Sequence, residues 1–278
     1  MIDMRRLLPV GTTMVQYNGT ETLCIYSRED GKARVLAVDA ILAARKEGRT
    51  NTKMVGVGDI ATKPLGNFVQ TDTDNYNAGM FERKDANVEQ NKPHLQHKDM
   101  PQTDVAVILA PGTIPDDLDC IHKTTVIAVS SAINTHSEYV DYAVISDPLP
   151  VFHPDHPEDI AAVLCAQCHP NSFYPKWRDV TWYSHALEKF DGIPQCCSTE
   201  GVITDALWFA VKQLGAKKVI LLGVEQPNIV RNYFWEGVFL QAHCYWYSRD
   251  GVEIWNCTHA SSVIAGVILG SLEEALHG

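Results

Sequence analysis

The sequence predicts an α/β protein built on a mostly parallel sheet, and three observations carry that expectation. Val105-Ala-Val-Ile-Leu-Ala110, Thr125-Val-Ile-Ala-Val129 and Val219-Ile-Leu-Leu-Gly-Val224 are short apolar runs rich in β-branched residues and without alternation, as in strands covered on both faces. Between the second and third, Ile203, Ala206, Leu207, Ala210 and Leu214 recur at helical spacing, and Gly215 ends that helix before Lys217-Lys218 leads into the next strand. The third is capacity: 278 residues, 45% of them hydrophobic, can bury one large core or two modest ones.

Taken in order, residues 1–58 read as a small N-terminal α/β unit. Its strand-like pieces are Met14 to Tyr17, Thr22 to Tyr26 and Ala33 to Val38, with turn signals at Asn18-Gly19 and Glu29-Asp30-Gly31. Helix formers from Ala40 to Gly48 and a last strand-like stretch, Lys53 to Val57, complete it. From Asp59 to Thr103 aliphatic residues thin out and no period survives, which reads as a long polar loop or lid. Residues 104–278 then carry the strand–helix–strand rhythm, with Tyr142 to Ser146, Val180 to Tyr183 and Val252 to Trp255 as further strands and Leu272 to Leu276 as a terminal helix.

Charge narrows the partners. With 23 Lys and Arg against 34 Asp and Glu, the net charge of −11 repels a nucleic-acid backbone or an anionic membrane, and no basic cluster offsets it. The apolar runs, Val163 to Ala166 and Val263 to Leu269 among them, fall far short of the ~20 residues that cross a bilayer, so no membrane span is expected. The start carries two arginines but breaks at Pro9 and Gly11 without an apolar signal core, and the expected location is cytoplasmic. In that setting the eight cysteines read as reduced thiols rather than a disulfide framework.

In an open α/β sheet ligands bind beyond the carboxyl ends of the strands, so the residues after each predicted strand are the ones to inspect. After the first lies Ala110-Pro-Gly-Thr113, where Gly112 permits a tight turn and Thr113 can cap a helix containing Pro115, leaving backbone N–H groups for a phosphate. After the second come Ser130, Ser131 and Asn134; after the third, Ser146-Asp147-Pro148, where Asp147 can take a ribose hydroxyl or a metal or simply start a turn. Cys197-Ser-Thr-Glu-Gly201 opens the long apolar helix, so Ser198 and Thr199 read as caps or as phosphate or sugar ligands, with Gly201 beside them. Glu225 follows the last strand of the set.

These segments, in this order and spacing, resemble the MptE-like family. The resemblance rests on Leu109-Ala-Pro-Gly-Thr113, Val126-Ile-Ala-Val-Ser-Ser-Ala132, Val140 to Pro148, Gly201 to Glu225 and the tail Asp250-Gly-Val-Glu-Ile-Trp-Asn256, and covers residues 104–278. It implies a Rossmann-like sheet similar to that of bacterial sialyltransferases, and a relation to motility-accessory glycosyltransferase-like proteins and archaeal 6-hydroxymethylpterin diphosphokinases. The glycine loops depart from the family's, and Ser146-Asp147-Pro148 stands where the diphosphokinase branch shows a second carboxylate. The implied activity is therefore a nucleotide-dependent transferase moving a sugar from a nucleotide-sugar donor. The alternatives are a Mg²⁺-dependent diphosphokinase-like enzyme and a non-catalytic nucleotide-binding or assembly module. His243, in the aromatic segment Tyr233 to Tyr247, is the candidate general base, and Asp147 the second catalytic candidate.

Cys165-Ala-Gln-Cys168-His169 matches a haem attachment pattern, but a chain read as cytoplasmic is expected to carry no haem; a zinc site with Cys196 and Cys197 lacks a second CxxC, and buried thiols are the simpler reading. The expected partners are a small-molecule nucleotide donor and an acceptor the sequence does not specify, without nucleic acid, and a homo-oligomer stays open.

Overall fold

The computed structural model describes residues 13–17, 22–26, 83–115, 118–150, 154–185, 190–196, 201–224, 234–258 and 267–277. Strands β1 (Thr13–Tyr17) and β2 (Thr22–Tyr26) pair antiparallel, Val15 opposite Cys24. The expected elements Ala33 to Val38, Ala40 to Gly48 and Lys53 to Val57 lie outside the described residues.

The rest is an α/β fold on an eight-stranded, all-parallel sheet. In chain order its strands are β3 (Val105–Leu109), β4 (Thr125–Val129), β5 (Tyr142–Ile145), β6 (Ala161–Cys165), β7 (Asp179–Tyr183), β8 (Lys218–Leu222), β9 (Glu253–Asn256) and β10 (Ile268–Leu269). In space they run β10-β9-β8-β3-β4-β5-β6-β7. The three apolar runs that predict the sheet are its neighbouring middle strands, with Val107 paired to Val126 on one side and to Ile220 on the other, every pairing parallel. Burial explains their missing alternation: nearly all residues of β3, β4 and β8 are enclosed on both faces.

Helix α1 spans 83–91, and α2 is Ala132–Thr135, a single turn after β4. The periodic helix is α3 (Val202–Trp208), continued by a π turn at Phe209–Gln213 and stopped at Gly215, whose φ of +68° suits glycine. It packs on β3, β4 and β5 and on α4 (Phe234–Arg249), while α5 (Leu272–His277) follows β10. Among the described residues no helix is long and apolar enough to cross a membrane.

Two elements differ from the sequence reading. The run from Val163 to Cys165 belongs to β6, a strand that the sequence reading passed over because it ends in the Cys-rich turn, where Ala166 lies. The expected polar loop contains α1, whose buried residues are Asn87, Val88 and Asn91. Its inward face is mostly amide, so it leaves no hydrophobic period to read. Asn91 Nδ2 donates to the carbonyls of Ala166 (3.0 Å) and Cys168 (2.8 Å), and Asn87 Nδ2 to those of Pro148 (3.0 Å) and Gln167 (3.2 Å). The chain then runs along β7: the Trp182 amide donates to the Gln96 carbonyl and the Lys98 amide to Thr181 Oγ1, which covers that sheet edge.

Candidate functional site

The connections decide where a ligand crevice opens. From β3 the chain steps outward through β4 to β7, then returns along α3 to place β8 on the other side of β3. Connections therefore leave β3 and β8 in opposite directions, and the crevice of such a sheet lies beyond the carboxyl ends at that reversal.

The local geometry there is tight. The ladder continues past the strand ends, with the Ala110 amide donating to the Leu222 carbonyl and the Gly112 amide to the Gly223 carbonyl, both at 2.9 Å. Gly223, at φ +68°, sits so close that a Cβ would lie 2.2 Å from the Ala110 oxygen and 3.0 Å from the Gly112 nitrogen. The Gly112 N–H is thus spent within the fold and is not a phosphate donor, a correction to the sequence reading. Thr113 stands in irregular chain and caps no described helix. Beyond β8, the Val224 amide donates to Thr258 Oγ1, which ties the ends of β8 and β9 together.

Ser130 and Ser131 follow β4 directly, and Asn134 lies in α2; all three are exposed at this end of the sheet. Ser130 holds φ at +52°, the only positive value among the described non-glycine residues. Such strain persists where surrounding structure dictates it, and it gathers at ligand sites. Ser130→Gly is expected to raise stability by about 1 kcal/mol by releasing the left-handed cost, read as a higher melting temperature; an unchanged or lower value would show that the Ser130 side chain holds the turn.

Asp147 is exposed two residues past β5, on the strand next to β4. Its Oδ1 accepts from the Leu149 amide at 2.8 Å, and its carbonyl accepts from the His169 amide at 2.9 Å. The side chain therefore starts a turn, the simpler of its two readings. Among the described residues no group of three or more His, Cys, Asp or Glu side chains could hold a metal ion, so these residues do not by themselves fit Mg²⁺ or zinc. Gly201 is the N-cap of α3, with φ +95°. Ser198, Thr199 and Glu225 lie outside the described residues.

His243 is a correction of a different kind. It lies within α4, 2% exposed, its ring against those of Trp246 and Tyr247. Enclosed there, it is not presented to an acceptor hydroxyl, as a general base must be.

The titratable cluster that the structure does assemble surrounds His185, past the carboxyl end of β7. His185 Nε2 meets Asp205 Oδ2 at 2.9 Å and its Nδ1 meets Gln167 Nε2 at 2.8 Å, with Cys165 close enough to act on the ring. The same Asp205 oxygen accepts from the Tyr183 hydroxyl at 2.8 Å, and Oδ1 from the Cys196 thiol at 3.5 Å. Burial works against a charged ring, but Cys165 and Asp205 outweigh it and hold the His185 pKa well above the ordinary histidine value. Burial, reinforced by Asp205, pushes the Tyr183 phenol well above its usual range. Cys165, Cys168 and Cys196 are free thiols, all buried; burial drives Cys168 well above the ordinary thiol value, which makes it a poor nucleophile. The signal for this cluster was an aspartate on the apolar stripe of α3, between Ile203 and Ala206.

In comparisons with known proteins, no family model matches the chain, and neither a curated protein nor a solved structure matches it significantly.

Proposed function

We propose that the protein is a nucleotide-dependent transferase that moves a sugar from a nucleotide-sugar donor to a hydroxyl. The observation that carries this reading is the reversal at β3, because a parallel sheet with that connectivity opens its ligand crevice, the place where nucleotides bind in dinucleotide-binding sheets of this kind, beyond the carboxyl ends of the two strands that part there. The strained Ser130, with Ser131, Asn134 and Asp147 on the neighbouring strand ends, supplies exposed polar groups for ribose and phosphate, and the MptE-like resemblance of residues 104–278 points to the same class. Asp147 brings one carboxylate whose Oδ1 is already engaged, which favours sugar transfer over a diphosphokinase reaction that depends on Mg²⁺ held to a triphosphate.

A thermal-shift and calorimetry panel tests this with CMP-, UDP- and GDP-sugars, ATP and 6-hydroxymethylpterin, each with and without Mg²⁺. One nucleotide-sugar is expected to stabilise the protein by about 2.7 kcal/mol at a hundredfold excess over its Kd. Stabilisation only by ATP and pterin with Mg²⁺ would turn the reading to the diphosphokinase, and no response to any nucleotide would remove it. Binding without turnover over a wide set of acceptors would leave a nucleotide-binding module.

A further inference from the structure

One continuous chain of buried side chains links α1 to the first turn of α3. Asn87 and Asn91 hold the Ala166–Cys168 turn by its carbonyls, and Asn87 also holds the Pro148 carbonyl, next to Asp147. From that turn the Gln167 side chain reaches His185, His185 reaches Asp205, and the Asp205 amide donates to the Gly201 carbonyl at 3.1 Å. Asn87, Asn91, Gln167, Tyr183, His185 and Asp205 are all more than nine-tenths buried.

The charge of the pair follows from its enclosure. Asp205 is wholly buried, and among the described residues its ion pair is with His185. A buried carboxylate facing a neutral ring would be an uncompensated charge, so the proton stays with the pair and the ring is an imidazolium. A charged ring donates from both nitrogens, which requires an acceptor at Nδ1. Among the described residues Gln167 Oε1 is a buried acceptor with no hydrogen-bond partner, and a half-turn of the amide gives it the Nδ1 proton. Whether the ring is charged therefore dictates which Gln167 atom faces it. Among the described residues, the other groups around the pair are Cys165 at the end of β6, Tyr183 on β7 and Cys196 beside Asp205.

We propose that His185 is a positioning residue: the proton it holds against Asp205 fixes the first turn of α3 and, through Gln167 and Asn87, the turns after β5 and β6 that carry Asp147. As a corollary resting on the nucleotide reading, ligand affinity in the crevice is greatest while His185 is charged. It declines as pH rises through the raised His185 pKa.

The test measures His185 titration by NMR of the full chain with labelled histidine, together with hydrogen exchange of the His169 and Asp205 amides and affinity for CMP, UDP and GDP over the same pH range. After correction for intrinsic exchange, protection of both amides is expected to fall as His185 loses its proton, by up to about tenfold for each unit by which the pair raises its pKa. In His185→Gln protection should not vary with pH. In Gln167→Ala the Asp205 amide should still follow the titration while the His169 amide does not. Protection indifferent to the titration, or a His185 that titrates at or below its ordinary value, overturns the proposal; the wild-type profile alone decides this if a variant does not fold. Amides that follow the titration in a protein that binds none of the three nucleotides support the positioning role and count against the nucleotide reading alone.

Discussion

Asp205→Asn is expected to destabilise the protein by about 3–5 kcal/mol, the cost of breaking a buried ion pair by removing one partner. The aspartate accepts from His185, Tyr183 and Cys196 at once, and the asparagine keeps the shape while losing the charge that holds the imidazolium in the interior. The pH dependence identifies the cause. A histidine whose folded pKa is raised contributes stability that is fully present below its unfolded pKa of about 6.5 and is lost as pH rises through the folded value. Urea unfolding across neutral and alkaline pH should show this decline in the wild type and not in Asp205→Asn. The same slope in both would assign the pH dependence to another group.

The second large effect belongs to Gly223→Ala. The left-handed backbone alone costs a side chain about 1–2 kcal/mol. Here the new Cβ also meets the Ala110 oxygen and the Gly112 nitrogen, backbone atoms of the neighbouring strand end that cannot rotate away. The expected total is about 3 kcal/mol or more, with the ends of β3 and β8 forced apart. Gly192→Ala is the control: φ is +74°, but among the described residues nothing lies within 4 Å of an added Cβ, so only the backbone cost applies. Equal losses in the two variants, measured by chemical denaturation, would show that the strand ends yield to the methyl group.

The architecture was legible where burial was uniform. Val105 to Ala110, Thr125 to Val129 and Val219 to Val224 announced interior parallel strands because nothing on either face of the sheet calls for a polar side chain. Helix α1 was illegible for the opposite reason: Asn87 and Asn91 face inward to hold carbonyls, so burial left no apolar stripe. The site divided along similar lines. Position after a strand located Ser130, Ser131 and Asp147 at the carboxyl end of the sheet, since chain order fixes which loops end there. Spacing carried no account of what their neighbours take up, and so overlooked that Gly223 occupies the Gly112 amide. The His185 cluster stayed hidden because it is built by packing between distant segments: Asp205 reaches His185 across 20 positions, and no local pattern encodes that pairing.

The strand order also dictates a sequence of events in synthesis. Strands β3 to β7 lie side by side in chain order, so this half of the sheet can assemble progressively as the polypeptide leaves the ribosome. The far side of β3 waits. Its partner β8 arrives only after a separation such as the 113 positions between Asp104 and Lys217, and until then the backbone groups of an apolar interior strand are open to any extended chain nearby. The seam between β3 and β8 is thus the strand pairing of widest chain separation in the sheet, and it is where premature release or crowding on a polysome would divert the chain into aggregates.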